Sequence, residues 1–283
     1  MSARVLFATL LFSAVALPVA AQREQTTRAS AEAQVNIQND DDGAVTVLGW
    51  DRNEVSIRVR GGDSRSVRLS GDEQRIRIRT DESVDIEVRV PRKARVEVRT
   101  TSGDIVVTDV EGSVDLESTS GTFRVSGNPQ LVDIEGISGS VHIMGRPERA
   151  FLATVSGEIN VPHAIGNINA ESASGSITIF GEGVRNAELS TASGEIVFSG
   201  TAARDAVLHF DSASGEVEIR VSQDLAATYD LSTVSGEISN DFGPRPTRQR
   251  YGAGQDLRFS SGAGAGARIR ASSVSGVVRL VKP

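Results

Sequence analysis

The chain has no cysteine, two lysines, three histidines and twelve aromatic residues (nine Phe, two Tyr, one Trp) among 283 residues. Without cysteine there can be no disulfide, no thiolate metal ligand and no lipidated N-terminal Cys, so stability must come from packing and hydrogen bonds alone. Apart from Lys93 and Lys282 the positive charge is all arginine, which reads as compositional bias rather than a polyanion site. The few aromatics leave no clear platform for stacking sugars. His142, His163 and His209 form no metal-ligand spacing. Past the first twenty-one residues no apolar run is long enough to cross a bilayer, and no segment sustains the i, i+3, i+4, i+7 spacing of an amphipathic helix.

Those first residues, MSARVLFATLLFSAVALPVAA, carry one charge at Arg4, an apolar run from Val5 to Val19 and a small-residue ending at Ala21. That is the pattern of a secretory signal peptide, so residues 1–21 are set apart and export to the periplasm, the extracellular space or the cell surface is expected. Loss of Arg4 takes the formal charge from −7 to −8. Residues 22–100 balance fifteen basic against fifteen acidic side chains, whereas residues from 101 onward hold fourteen basic and twenty-two acidic. A negative second part argues against nucleic acid or an anionic membrane as main partner.

What the chain does have is a repeat. Ser-Gly followed by an apolar residue three after the Ser occurs at Ser102, Ser120, Ser138, Ser156, Ser174, Ser193, Ser214, Ser235 and Ser275. The first five are 18 residues apart, and the next three follow at 19, 21 and 21. A fixed period of this length is the mark of stacked repeats. Three after each Ser the residue is always apolar, from Ile105 and Phe123 to Val278; five after, it is apolar in eight of nine, Asn240 being the exception. Six before (Val96, Val114, Val132 and so on) and four before (Val98, Leu116, Ile134) the chain alternates again. Each repeat therefore holds two half-buried strands meeting at Ser-Gly, where glycine tolerates a positive φ or a tight bend.

Two strands with two or three inward residues each cannot bury an apolar face alone. Stacking equivalent strands lets backbone groups pair with the copies above and below and lines up like side chains inside. The expected fold is all-β: an elongated single-chain β-solenoid of 18–21-residue two-strand repeats, right-handed by the usual sense of parallel crossovers. Periodicity alone leaves an antiparallel meander or sandwich open. Residues 22–100, strand-rich but less regular, are expected to form an N-terminal cap continuous with the repeats, which occupy 101–283. The stretch DFGPRPTRQRYGAGQD (241–256) reads as a loop excursion within the forty residues from Ser235 to Ser275, roughly two periods with one marker displaced.

For chemistry the chain offers little. Asp104, Glu158, Glu195, Glu216 and Glu237 sit two after the Ser and would stack near one edge, as a solvated turn position or, alternatively, a calcium or basic-partner ladder. Asp40, Asp41 and Asp42 before Gly43 resemble half a calcium loop, but the EF-hand glutamate is missing and a turn is the simpler reading. No Gly-x-Ser-x-Gly elbow is present, and no carboxylate cluster breaks the repeat as in polysaccharide-active parallel β-helices. No catalytic, cofactor or metal residue is assigned.

VRVPRKARVEVRTTSGDIVV (88–107), the recurring T-x-SG-x-I units and the terminal SGAGAGARIRASSVSGVVRL (261–280) resemble bacterial candidate adhesins of the DUF4097 type. The resemblance covers most of the chain past residue 21. It implies an envelope-exposed repeat protein, in some cases tied to envelope-stress signalling, with no catalytic residues to carry over. The function expected is a non-enzymatic adhesion or interaction scaffold binding an envelope or surface component, protein or polysaccharide. The alternative is a sensory or regulatory protein of the envelope; a polysaccharide-active enzyme comes after both.

Overall fold

A computed structural model of the chain describes residues 24–61, 63–250, 252–262 and 266–283. The expected signal peptide lies outside them. Every Ser-Gly copy is a corner between two strands, as between Arg95–Ser102 and Ile105–Thr108 or between Ser113–Ser120 and Phe123–Ser126. Successive copies pair parallel and in register: Val96 beside Val114 beside Val132, and Ile105 beside Phe123 beside Val141. The protein is a β-solenoid. Parallel pairing removes the antiparallel meander, whose neighbours would run in opposite directions. From Ile159 onward the strands Ile159–Ser172, Ile177–Thr191 and Ile196–Ser212 run unbroken from one layer into the next, absorbing the far corner in register shifts.

Inside, the alternation of the sequence becomes a ladder of buried aliphatics. Val96, Val98, Ile105 and Val107 are at most 1% exposed, and their counterparts in the following layers are equally enclosed. Each such side chain contributes about 1.5–3 kcal/mol on burial, offset by the entropy of ordering its layer. Phe123 puts a ring where neighbouring layers carry Ile or Val, and the next layer makes room with Gly136, where a Cβ would lie 2.9 Å from that ring. Asn240, the polar exception, marks the outermost layer. Its side-chain amide donates to the Pro244 carbonyl and its oxygen accepts from the Phe242 N–H, turning the chain out of the stack.

The stacking order is not the chain order. Gln34–Asp42 sits between Arg75–Thr80 and Arg95–Ser102, and Val45–Trp50 between Asp85–Pro91 and Ile105–Thr108. The first layer of the chain is thus inserted between the second and the third. At the other end Ala267–Ser273 lies between Ile196–Ser212 and Ala227–Thr233, and Val277–Val281 between Val217–Val221 and Glu237–Asn240. The last layer is inserted the same way. Counted in space from the layer of Arg75–Pro91 to that of Ala227–Asn240, there are eleven layers. Ten steps of about 4.8 Å make a body about 48 Å long.

This insertion accounts for the forty-residue gap before Ser275. No marker is displaced there. After Asn240 the chain leaves the stack, forms Thr247–Arg248, returns antiparallel along Ala227–Thr233 as Gln255–Ser261, and only then enters the slot left between two earlier layers. Phe259 stacks on Tyr229 (centroids 4.6 Å apart, planes 8° apart) and Phe242 tilts against Tyr229 at 5.7 Å, so three aromatics close the C-terminal end of the core. At the opposite end Glu24–Arg28, Glu54–Gly61 and Val67–Gly71 are antiparallel to their neighbours. Such strands interrupt the parallel edge that would otherwise template further pairing.

Candidate functional site: a groove along the Ser-Gly corner

The corner satisfies its own backbone. At the buried position two before the Ser stands a hydroxyl in most layers: Thr100, Ser118, Thr154, Ser172, Thr191, Ser212 and Ser273 are all 9% exposed or less. In five of these corners it accepts the N–H of the corner glycine, as at Gly175 to Ser172 Oγ (2.7 Å) and Gly194 to Thr191 Oγ1 (2.9 Å). The Ser of Ser-Gly works between layers: Ser156, Ser174, Ser193, Ser214 and Ser275 each donate to the carbonyl of the residue before Ser in the adjoining layer, at 3.2–3.4 Å. Short hydroxyl side chains suit both tasks because they reach nearby backbone groups without filling core volume.

The glycine has two distinct reasons. Gly103 and Gly121 have φ of 124° and 123°, the positive region the sequence suggested. In those two corners the hydroxyls of Thr100 and Ser118 donate to the Ser102 and Ser120 carbonyls instead. At Gly157, Gly175 and Gly194 φ is not positive; here a Cβ would lie 1.8–1.9 Å from the carbonyl oxygen of the glycine in the adjoining layer. Close approach of backbone, rather than handedness, excludes a side chain there.

On either side of this buried hydroxyl row the neighbouring residues point outward and line one groove of about 1050 Å³. It runs from the layer of Asp40 to that of Val274, nine layers or about 38 Å. One wall, three before the Ser, carries Arg99, Glu117, Glu135, Glu171 and Asp211. The other, one before the Ser, carries Thr101, Thr119, Ile137, Val155, Ala173, Ala192, Ala213 and Val274. Ile137, Val155 and Val274 are 50–52% exposed, and Val234 one layer further on is 60% exposed. Large aliphatics lined up in solvent on a soluble face mark an interaction surface more often than a scattered few do.

The groove's electrostatics are one-sided. Arg99, its cation, is engaged by Glu97 and by Glu117 (2.9 Å). Beside the acidic wall lies a second rank, Glu97, Asp115 and Asp133, stacked in register. Partial burial and then the carboxylates of Asp133 and Glu97 hold Asp115 above the ordinary carboxylate range. The backbone of the groove has few groups to offer: the N–H groups of Ile137, Val155 and Ala173 donate to Ser118, Gly136 and Thr154 of the adjoining layers. The groove therefore offers side chains rather than free backbone groups for strand pairing.

Of the residues singled out by sequence, Asp40 lies at one end of the groove and the others lie outside it. Asp104 is held low because, against burial, the Thr122 N–H and Arg124 hydrogen-bond its carboxylate, and Glu216 pairs with Arg279 at 3.0 Å. Thr122, Ser140, Ser176 and Val277 occupy the same turn position in the layers between, so the acidic ladder is interrupted. Asp40, Asp41 and Asp42 accept from Gln38, the Asp42 N–H and Ser102 respectively. His163 hydrogen-bonds Glu182 at 2.8 Å and His209 lies 3.1 Å from Asp211. Among the described residues no three of His, Cys, Asp or Glu form a group able to hold a metal ion. The groove itself was missed by sequence. Its signal was available in the same alignment, where the residue before Ser is Ile, Val or Ala in seven of nine copies.

Residues 27–164 and 168–280 match the model of the Toastrack DUF4097 family. Among solved structures, a candidate adhesin from Bacteroides fragilis aligns over 92% of this chain and 97% of its own at 12% identity and a TM-score of 0.46. A candidate lipid-binding protein from Parabacteroides distasonis aligns over 92% and 96% at 14% identity and 0.44, and a candidate adhesin from Parabacteroides merdae over 92% and 96% at 11% and 0.31. Likeness at this level says nothing of activity or partner. No curated protein matches the chain.

Proposed function

The chain belongs to the Toastrack DUF4097 family, and on that premise we propose that it is an exported, non-enzymatic β-solenoid scaffold, an adhesin or interaction protein of the cell envelope, that holds its partner along the Ser-Gly groove. The observation that carries this reading is the row of exposed Ile and Val on a corner whose backbone is already satisfied. A solenoid gains nothing in stability from aliphatics in water, and a rigid stack presents them at fixed spacing over about 38 Å. Export rests on the apolar leader at residues 1–21, and no helix among the described residues is long and apolar enough to cross a membrane. Residues 22–100 act in this reading as the N-terminal cap continuous with the repeats, supported by the three antiparallel strands at that end. The repeat array 101–283, with its excursion at 241–256, presents most of the groove.

Position-specific photocrosslinking tests the proposal. A photoreactive residue at Val155 in the wall of the groove is compared with one at Arg185, away from it, in cells that export the protein. Adducts from position 155 and not from 185 are expected. Adducts from 185 alone, or none from any groove position, overturn it.

A further inference from the structure

Resting on the groove reading, we infer that the occupant is an extended polypeptide segment in which basic and aliphatic side chains alternate. The groove is long in the sense that matters for a chain: nine layers, about 38 Å, match about eleven residues of extended polypeptide at roughly 3.3 Å each. Its two walls differ in kind. On one wall Glu117, Glu135, Glu171 and Asp211 set four carboxylates against Arg99, the one guanidinium among the described lining residues, which Glu97 and Glu117 already engage. The facing wall is aliphatic from Ile137 onward. An extended chain sends successive side chains to opposite sides, so alternating basic and aliphatic residues meet the acidic wall with one set and the aliphatic wall with the other.

Other occupants meet this surface less well. Lipid headgroups, nucleic acids and acidic glycans bring negative charge to a negative wall. Neutral glycans look for aromatic faces, and among the described residues no Phe, Tyr or Trp lines the groove. A chain docking by strand addition needs free backbone donors, and those of Ile137, Val155 and Ala173 are already used between layers. The charge ranks also lie in register at the layer spacing, so neighbouring carboxylates such as Glu117 and Glu135 repel until a cation comes between them.

The test is fluorescence anisotropy with the full chain and labelled twelve-residue peptides: alternating lysine and valine, alternating glutamate and valine, and alternating lysine and serine. The lysine–valine peptide is expected to bind, and to weaken as salt rises from about 0.1 M to 1 M and the screening length falls from about 10 Å to about 3 Å. The double variant Glu135→Gln/Glu171→Gln is expected to weaken it on the order of tenfold. Val155→Ser weakens it too, whereas Glu158→Gln, which removes the same charge outside the groove, changes it less than about twofold. Equal loss from Glu158→Gln, no loss from the groove variants, or equal binding of the glutamate–valine or lysine–serine peptide overturns the inference. Crosslinking at position 155 to a partner that the lysine–valine peptide does not displace leaves the groove as a binding site and refutes only this occupant.

Discussion

Replacing Thr191 by valine isolates what the hydroxyl row does. Thr191 is 6% exposed, and its Oγ1 accepts the Gly194 N–H at 2.9 Å. Valine keeps the branched shape and the volume but removes the acceptor, leaving a buried N–H without its partner. Such a group costs about 1–3 kcal/mol. Thr191→Ser keeps the acceptor and loses one methyl, about 0.8 kcal/mol of burial. Stability should therefore fall in the order wild type, Thr191→Ser, Thr191→Val. In urea, with a slope of about 3 kcal/mol/M, a 2 kcal/mol loss lowers the midpoint by about 0.7 M. Because stacked layers can open next to the lesion before the whole body unfolds, amide hydrogen exchange at Gly194 is measured alongside the far-ultraviolet melt. A Thr191→Val protein as stable as wild type, with the Gly194 amide no faster to exchange, would refute the claim that the hydroxyl holds the corner.

Further outcomes follow from the same geometry. Gly194→Ala should cost more than either Thr191 change, above about 3 kcal/mol, because the new Cβ would sit 1.9 Å from the Gly175 carbonyl oxygen and two backbones must part; a urea midpoint within error of wild type would contradict this. Asp115→Asn should stabilise at pH 7 by about 0.2–1 kcal/mol, since it removes a carboxylate stacked between Asp133 and Glu97. The folded-state pKa of Asp115 is raised, so its cost is present above that value and is relieved as pH falls through it; the gain from Asn should vanish below about pH 4, which paired urea melts at pH 7 and 3.5 would check. For Glu182 the sign reverses. The His163 hydrogen bond and the Arg146 charge hold its carboxylate low, so Glu182→Gln should lower the melting temperature at pH 7 and leave it unchanged near pH 2. Phe259→Ala should cost about 2 kcal/mol, less than a fully enclosed Phe, and increase dye binding at the C-terminal end by exposing Tyr229.

The groove shows how far a one-dimensional pattern reaches. The apolar positions three and five after the Ser announce an inside because they alternate, and alternation is a property of neighbours along the chain. The aliphatics at Ile137, Val155, Val234 and Val274 carry no such announcement. They fall out of phase with the core, beside a Ser, where a sequence reading expects a polar turn. Only stacking makes them a wall, and only stacking sets Glu117, Glu135 and Glu171 opposite them. The acidic residues two after the Ser were the more conspicuous in sequence, yet Thr122, Ser140 and Ser176 interrupt them in space.

The sequence by itself determined the layer: two short strands, a Ser-Gly corner, four inward aliphatics and a period set by the length of one turn. Those features are local, and each is fixed by the side-chain alternation and by which residues a corner can hold. Tertiary structure alone decided the order of layers. First and last layers carry the same inward pattern as the rest, so any slot buries their Val and Ile equally well, and nothing local says which neighbours they take. The choice rests on long-range closure: Gln34–Trp50 enters between Arg75–Pro91 and Arg95–Thr108, and Ala267–Val281 between Ile196–Val221 and Ala227–Asn240, so that the antiparallel strands and the Tyr229, Phe242 and Phe259 cluster cover the two open ends.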